Sequence, residues 1–251
     1  MNKETIKWIH LEETDSTNQW AKDNTSELGK KVTVVSTDFQ TAGRGCGKNH
    51  WESENGKNLT FSIIIYPLQV KAQEQYILLM AESLALKDCL SKLCEGFTIK
   101  WPNDIYYKDS KISGTLSECT LHEGMVRRCI LGTGLNVNQQ LFTSDAPNPI
   151  SIYQIIGAET DRKNLLHHIL EQFEYYHSLL NRHEYATIQQ HYQKSLYRKD
   201  GTYTYRDKEG LFQASIVCVE PDGHLVLRDS GGRQRRYAFK EVQFIIPEIN
   251  K

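Results

Sequence analysis

The sequence Gln40-Thr41-Ala42-Gly43-Arg44-Gly45-Cys46-Gly47-Lys48-Asn49-His50-Trp51 places three glycines at alternate positions and sets two cations among them. Glycine lets the backbone adopt positive φ and brings its N–H groups close to a ligand. Successive N–H groups of this kind form a concavity that binds anions, and an arginine adds a planar fork for carboxylate or phosphate. Because the apolar run Val32–Val35 comes before it, this segment is predicted to be a ligand loop at the end of a strand.

The loop does not match the familiar nucleotide-binding loops. A P-loop needs a glycine five residues before its Gly-Lys pair and a serine or threonine after it, but Ala42 and Asn49 stand there. A dinucleotide-binding loop needs its third glycine at position 48, which is Lys48. Taken alone, the three glycines are more typical of a solvated turn. The function must therefore be argued from other segments as well.

The composition is that of an ordinary globular protein. The 251 residues are 39% hydrophobic and 24% charged, enough for one large core or for a large and a small domain. A net charge of −1 gives no general reason to expect nucleic-acid or membrane binding. The six cysteines form no C-x-x-C pair, and no apolar run approaches the roughly 20 residues that cross a bilayer. We therefore predict a cytoplasmic protein with reduced thiols.

Apolar patterning predicts an α+β protein of two domains with a boundary near residue 198. Strands are predicted at 6–11, 32–37, 58–66, 97–101, 105–107, 111–121 and 125–137, and helices at 16–27, 71–94, 152–156 and 161–182, with a further helical stretch to about 197. These elements would form a mixed central sheet with helices packed on one face. From Lys199 onward, short strands separated by three turns predict a small β-barrel.

Two further segments allow both a structural and a functional interpretation. Asp15-Ser16-Thr17-Asn18 is a cluster of helix-capping residues, yet the unpaired N–H groups of a helix start can also bind a neutral polar ligand. Gly132 and Gly134 lie inside a predicted strand, where glycine marks either a bulge or close approach to a ligand. The histidines are scattered without the spacing of a metal site, so no metal ligands are predicted.

Four segments in this order resemble the biotin protein ligases. They are Asp15 to Asn18, Gln40 to Trp51, Lys100-Trp101-Pro102-Asn103-Asp104 with Lys111-Ile112-Ser113-Gly114, and Gly132 to Asn138. The most specific part is Lys-Trp-Pro-Asn-Asp followed by Lys-x-x-Gly, and the resemblance covers nearly the whole chain. It implies a class II synthetase-like biotin/lipoate ligase catalytic domain at 1–198 and an SH3-like β domain at 199–251.

The resemblance also implies an activity. Such enzymes use ATP with Mg²⁺ to convert biotin to biotinoyl-5′-AMP and pyrophosphate, and then transfer biotin to a lysine of a biotin carboxyl carrier protein domain. That domain belongs to a biotin-dependent carboxylase, which would be the partner. Two anions meet in the first step, so cations and N–H donors must neutralise the charge that builds up. No covalent enzyme intermediate is needed.

Carried over by position, the resemblance implies the site residues. The biotin site would contain Ser16, Thr17, Asn18, Gln40, Arg44, Gly45, Cys46, Lys111 and Gly114. The nucleotide site would contain Trp51, Asn103, Asp104, Lys111 and Asn136. Lys111, which would bridge carboxylate and α-phosphate, and Arg44 would be the catalytic residues. Trp101 is explained equally well as a core aromatic.

One position departs from the family pattern. Many ligases have arginine or glutamine as the fourth residue of the Gly-Arg-Gly-Arg run, and this chain has Cys46 there. A cysteine does not supply the arginine's charge unless Arg44, Lys48 or Lys111 compensates. We therefore expect a loop that holds the reactive adenylate less tightly.

Two other functions are compatible with these residues. A lipoate- or octanoate-transferring enzyme shares the fold but needs fewer hydrogen-bonding groups for its acyl tail. A non-catalytic biotin or adenylate sensor would not need Lys111 at the reaction centre. About a dozen residues precede the Ser16 cluster, so we expect a ligase-only form without a DNA-binding helix-turn-helix, no specific DNA binding and no membrane contact. A homodimer is compatible with the sequence.

Overall fold

A computed structural model of the protein describes residues 6–24, 31–47, 49–143 and 148–247. Two sequence-based expectations fall outside these residues. One is Lys48 as a compensating cation of the glycine loop, and the other is the end of the first predicted helix, from residue 25 to 27.

The larger sheet has seven strands and mixed direction. In chain order they are β1 (Lys7–Thr14), β2 (Thr33–Gln40), β3 (Leu59–Ile65), β4 (Phe97–Lys100), β5 (Asp104–Tyr107), β6 (Ser110–His122) and β7 (Met125–Leu135). Their order across the sheet is β1-β2-β3-β7-β6-β5-β4. Only the β1–β2 pair is parallel, and the other neighbouring strands run antiparallel. The predicted mixed sheet is confirmed.

The described residues contain five α-helices beside this sheet: α1 (Thr17–Asp23), α2 (Tyr76–Leu90), α3 (Ile152–Ile156), α4 (Arg162–Asn181) and α5 (Tyr185–Lys194). The predicted helix at 71–94 is divided, because a 3₁₀ turn at Ala72–Glu74 comes before α2. As predicted, Asp161 caps α4, and its Oδ1 accepts hydrogen bonds from the N–H groups of Lys163 and Asn164.

The helices do not all lie on one face of the sheet. The helices α2, α4 and α5 pack with one set of alternate strand residues into the main core. The short helix α1 covers the opposite face, where Ala21 packs with Val35, Ile64 and Ile130. All seven residues of β3 are buried, and a strand buried on both sides needs cover on both faces. The helices α2, α4 and α5 thus lie together on one face as predicted, and α1 is an addition on the other face.

Several strand ends meet at one edge of the sheet. Gln40 ends β2 beside Thr14, the last residue of β1. In the central strands, Thr60 is opposite Gly134, and Gly134 is opposite Gly114. This register brings the loop after β2, the end of β7 and the start of β6 to the same edge, next to the start of α1.

The smaller sheet lies in the C-terminal part of the chain. It contains β8 (Tyr203–Asp207), β9 (Gly210–Val219), β10 (Leu225–Asp229), β11 (Gln234–Tyr237) and β12 (Gln243–Phe244). The strand order is β11-β10-β9-β8-β12, and all pairs are antiparallel. The predicted small all-β unit is confirmed, while β12, which has only two residues, was missed.

Side chains of the first part of the chain join the two sheets. Trp101 is buried, and its indole N–H donates to the Gly223 carbonyl at 2.8 Å. The amide of Gln193 donates to the Val219 carbonyl and accepts from the Val219 N–H. One continuous cluster of buried apolar residues includes members of both sheets. The domain boundary near 198 stays a prediction. None of the described helices is long and apolar enough to cross a membrane.

Candidate functional site

A buried polar network lies where α1 meets the central strands. Ser62 Oγ, on β3, lies 2.6 Å from Asn18 Oδ1 and 2.7 Å from Thr17 Oγ1. The side-chain oxygen of Gln40 accepts from the backbone N–H of Thr17 at 2.9 Å and from its hydroxyl at 3.2 Å. Ser16 comes just before α1 and is buried as well. The structure thus brings together Ser16, Thr17, Asn18 and Gln40 as predicted, and adds Ser62.

Glu118 closes this network on the β6 side. Its carboxylate accepts from Asn18 Nδ2 at 2.8 Å and from Lys22 Nζ at 2.5 Å, and Arg44 Nη2 lies 3.8 Å away. Partial burial raises the pKa of Glu118, but the hydrogen bonds from Lys22 and Asn18 outweigh it and leave that pKa below its usual value. Sequence reasoning missed Glu118 and Ser62, although a glutamate inside a half-buried strand is itself a signal.

The glycine loop forms a tight hairpin. The Gly45 N–H donates to the Asn49 carbonyl at 2.7 Å, and the Trp51 N–H donates to the Gly43 carbonyl at 3.0 Å. A Cβ on Gly43 would lie 2.8 Å from the Trp51 carbonyl oxygen, so that glycine is required by space. Gly47 has a φ of 74°. The expected row of free N–H groups is therefore not fully present, since the N–H of Gly45 is used within the loop.

The two glycines of β7 make room for side chains of the protein itself. A Cβ on Gly132 would overlap the Asn18 amide, and a Cβ on Gly134 would overlap the indole of Trp51. The predicted close approach is thus real, but it is to Asn18 and Trp51. The indole nitrogen of Trp51 is buried and has no hydrogen-bond partner among the described residues. It remains a donor that a bound ligand can use.

Lys111 lies beside Asp104 and Trp51. Its Nζ is 2.6 Å from Asp104 Oδ1 and 5.8 Å from the centroid of the Trp51 ring. Gly114 provides the space, since a Cβ there would lie 3.0 Å from Asp104 Oδ1 and 3.1 Å from Lys111 Nζ. The structure thus brings together four of the predicted site residues, with an anion and a cation in contact.

Two predicted nucleotide residues support the backbone around Lys111. Asn136 is buried and its Nδ2 donates to the Ile150 carbonyl at 3.1 Å. Ile150 in turn donates its N–H to the Lys111 carbonyl at 2.9 Å. The side chain of Asn103 donates to the Thr115 carbonyl on β6. In this arrangement both amides hold the strand that carries Lys111, and contact with nucleotide stays a prediction for them.

Lys100, the lysine of the Lys-Trp-Pro-Asn-Asp motif, is partly buried behind the site. Lys100 Nζ lies 5.3 Å from the Tyr106 ring centroid and 5.2 Å from the Phe244 ring centroid. Burial lowers the pKa of Lys100, and the charge of Asp104 opposes that shift. Phe244 belongs to the C-terminal sheet, so this cation is held between the two sheets.

Lys240 is a cation near the loop that sequence reasoning missed. A Cβ built on Gly47 would lie 2.7 Å from Lys240 Nζ, so the ammonium group rests against the loop next to Cys46. Arg44 and Lys111, named above as cations that could compensate for Cys46, already face carboxylates. Lys240 lies nearly two hundred residues further along the chain, in the C-terminal part, and no local pattern links it to the loop.

A buried carboxyl group lies under the site, on the face of the sheet that α2, α4 and α5 cover. Thr133 Oγ1, between the two glycines of β7, donates to Glu82 Oε1 on α2 at 2.6 Å. The other oxygen of Glu82 has no partner in the part of the chain that the structure describes. Burial raises the pKa of Glu82 to about 7, against the hydrogen bonds from Thr133 and Thr115.

Metal-capable side chains are also grouped away from this site. Within the described ranges, Glu220, Asp222 and His224 place potential ligand atoms within 4.8 Å of one another. Arg236 pairs with both carboxylates, at 2.5 Å each. A guanidinium already neutralises the two carboxylates, so this group is assigned no metal.

The fold and the site define a mixed-sheet α+β protein with a buried polar network and a lysine–aspartate pair at one sheet edge. The profile of the biotin/lipoate A/B protein ligase family matches residues 10–136, just over half of the 251 residues. The chain belongs to this family.

Similar proteins carry more specific names. The bifunctional ligase/repressor BirA of Bacillus subtilis is 28% identical over 236 residues, which cover 92% of this chain and 72% of that protein. The biotin–[acetyl-CoA-carboxylase] ligase of Paracoccus denitrificans is 26% identical over 235 residues, which cover 89% of this chain and 95% of that protein. Among solved structures, the biotin protein ligase of Aquifex aeolicus in complex with biotin and ATP has a TM-score of 0.77 at 24% identity. The match covers 96% of this chain and 99% of that chain. That last likeness shows the shared fold.

Proposed function

We propose that this chain is an ATP-dependent biotin protein ligase of the biotin–[acetyl-CoA-carboxylase] ligase type. The observation that carries the proposal is the contact between Lys111 and Asp104 beside Trp51, at the end of a buried polar pocket. Similarity to a ligase of that name over 89% of this chain supports it. A sensor that only bound biotin would not need a cation at the point where the two anionic substrates meet.

The first step joins two anions. A carboxylate oxygen of biotin attacks the α-phosphorus of ATP, the bond to the bridging oxygen breaks, and pyrophosphate leaves with its electrons. Lys111 and Arg44 supply positive charge that compensates the charge on the five-coordinate phosphorus. Asp104 fixes the position of the Lys111 ammonium group before the substrates arrive.

The pocket at α1 suits the ureido ring of biotin. That ring offers one carbonyl acceptor and two N–H donors, and the network contains both kinds of partner in Ser16, Thr17, Asn18 and Gln40. The apolar tail of lipoate or octanoate has no hydrogen-bonding atoms that match these buried polar groups, which bond to one another in the free protein. The network therefore favours biotin.

ATP with Mg²⁺ fits the other half of the site. Trp51 offers a flat ring and an indole N–H that has no partner among the described residues, and Asp104 is a carboxylate at the same place. Mg²⁺ in ATP-using sites is commonly held by one or two carboxylates together with phosphate oxygens. Asp104 is the residue that would hold it, and the ion would neutralise phosphate charge. Roles in binding ATP are proposed for Asn103 and Asn136 also.

The second step needs a protein partner. We propose that the ε-amine of a lysine in a biotin carboxyl carrier protein domain attacks the acyl carbon of biotinoyl-5′-AMP, forming an amide and releasing AMP. All six cysteines are free thiols, which suits the cytoplasmic location proposed here. The domains 1–198 and 199–251 are proposed as the catalytic and SH3-like parts. A homodimer stays a prediction, which sedimentation would test.

ATP–pyrophosphate exchange tests the proposal. Each of biotin, lipoate and octanoate is supplied as the only acid, and we expect exchange with biotin alone. Lys111→Ala should abolish it, while the matched control Lys163→Ala, on the exposed start of α4, should keep it. Exchange with lipoate instead would overturn the assignment of the substrate. Biotin binding without exchange would identify a sensor.

A further inference from the structure

Two cysteines face each other on the side of the sheet that α2, α4 and α5 cover. Cys119 on β6 is directly opposite Cys129 on β7, in a stretch of regular antiparallel pairing. Their sulfur atoms lie 3.0 Å apart, and the Ser117 hydroxyl lies 3.4 Å from the Cys129 sulfur. Of the six cysteines, all in the described part of the chain, only these two have their sulfur atoms in contact.

The backbone already has the spacing of a disulfide. Directly opposite residues of an antiparallel pair have Cα atoms about 4.5–5.5 Å apart. Disulfides span Cα separations of about 4.4–6.8 Å, with a sulfur–sulfur bond of about 2.05 Å. The two sulfur atoms therefore need to approach by about 1 Å, which small side-chain rotations provide without moving the strands.

The two thiols are not equivalent. Cys119 is partly exposed, whereas Cys129 is fully buried. The hydrogen bond between the two thiols lowers the pKa of Cys119. The same hydrogen bond, burial and the charge on Cys119 raise the pKa of Cys129, and the nearby Glu82 carboxylate adds to that rise. Since the thiolate is the reactive form, Cys119 is the nucleophile and Cys129 the partner that resolves its oxidised state.

We propose that Cys119 and Cys129 are an oxidation site that closes a reversible cross-strand disulfide in the presence of a peroxide. The Cys119 thiolate attacks one peroxide oxygen, the O–O bond breaks, and the released hydroxide takes a proton to become water. The sulfur of Cys129 then attacks the sulfenic acid on Cys119, its S–H proton goes to the departing oxygen, and a second water leaves. Two thiols lose two electrons in total, and one peroxide is reduced to two waters.

This site is separate from the proposed ligase site. Glu118, next to Cys119 in the chain, points to the opposite face, where it contacts Asn18 and Lys22. Neither cysteine has a role in the proposed reaction. The inference thus does not depend on the proposed function, and it is tested without measuring activity.

The test uses the reduced full-length protein. After treatment with hydrogen peroxide, the protein is denatured in N-ethylmaleimide, digested without reduction and analysed by mass spectrometry. We expect a linked peptide pair containing Cys119 and Cys129, lighter by two hydrogen atoms than the separate peptides, which dithiothreitol separates. The other four cysteines should remain alkylated at the lowest effective peroxide dose.

Variants identify the roles of the two thiols. Cys129→Ser should trap Cys119 as a sulfenic acid that dimedone labels, and Cys119→Ser should lose both the disulfide and that label. Cys46→Ser, which keeps the pair, should form the disulfide as the wild type does. Alkylation of both Cys119 and Cys129 at a dose that already oxidises Cys46 would overturn the proposal. So would a disulfide between either of them and another cysteine, and both results are read on the wild-type protein.

Discussion

The ammonium group of Lys111 and the carboxylate of Asp104 are held 2.6 Å apart across two neighbouring strands. Lys111 lies near the start of β6, and Asp104 is the first residue of β5. The backbone of Lys111 is fixed independently, because Asn148 accepts its N–H bond at 2.8 Å. The cation is therefore positioned from two sides before any substrate is present.

Replacing the carboxylate should weaken catalysis while leaving the lysine in place. Asp104→Asn keeps the shape of the side chain but removes the charge that orients Lys111 and the oxygen proposed for Mg²⁺. We expect the rate of biotin-dependent pyrophosphate exchange to fall about 10- to 100-fold. Asp200→Asn, which changes an exposed aspartate in the same way, is the matched control. An unchanged rate in Asp104→Asn would show that Lys111 needs no partner.

Substitutions at the two glycines of β7 should affect the binding of biotin and of ATP separately. A methyl group at Gly132 would displace Asn18, and one at Gly134 would displace Trp51. We expect Gly132→Ala to raise mainly the KM for biotin and Gly134→Ala to raise mainly the KM for ATP. Steady-state kinetics with each substrate varied would measure this, and Gly231→Ala in the small sheet is the control. Equal effects on both substrates would contradict the assignment.

Restoring an arginine in the glycine loop should improve retention of the intermediate. Cys46→Arg adds the positive charge that many ligases carry at this position, next to the adenylate. The expected effect is a release of free biotinoyl-5′-AMP that is about two- to fivefold slower, the range of an exposed charge interaction. Chromatography of the filtrate from enzyme, biotin and ATP would measure it, with Cys46→Ser as the uncharged control. No change in Cys46→Arg would refute our view of the loop.

Lys240 should compensate in part for Cys46. Its ammonium group rests against Gly47, so Lys240→Ala removes a cation from the loop without touching the pocket. We expect release of the free adenylate to become about two- to fivefold faster. Lys208→Ala, on a turn of the same sheet, should leave the release rate at the wild-type value. The idea fails if both variants behave alike.

Glu82 should make stability depend on pH. Its pKa is about 7 in the folded protein and about 4.5 when exposed, so the unfolded chain binds fewer protons between these values and stability falls as pH rises. Glu82→Gln lacks this loss. The free energy of unfolding of the variant, relative to that of the wild type, should rise by about 3 kcal/mol from pH 4.5 to 7 and then stay constant. Urea unfolding at several pH values would show it, and Glu174→Gln on α4 is the control.

Much of the fold follows from patterns within single segments. The apolar run of β3, the cap at Asp161 and the turn after β6 are local signals, and the structure has elements at those places. The glycines of the loop and of β7 also mark the edge where the predicted site residues meet, since glycine is needed wherever another group approaches the backbone closely.

What could not be predicted depends on contacts between distant segments. The face of the sheet that α1 covers is decided by the second buried side of β3. Ser62 and Glu118 become site residues only because the strand register places them beside Asn18. Lys240 reaches the loop from the other sheet. None of these distances is encoded in a local period or spacing.

The hydrogen bond from Trp101 to Gly223 has a consequence for how the protein can be divided. The motif that carries Asn103 and Asp104 also contacts the C-terminal part of the chain, through the Trp101 indole. Removing the C-terminal residues would expose the indole face and leave its N–H group unpaired. The two sheets are therefore expected to unfold together, as one cooperative unit.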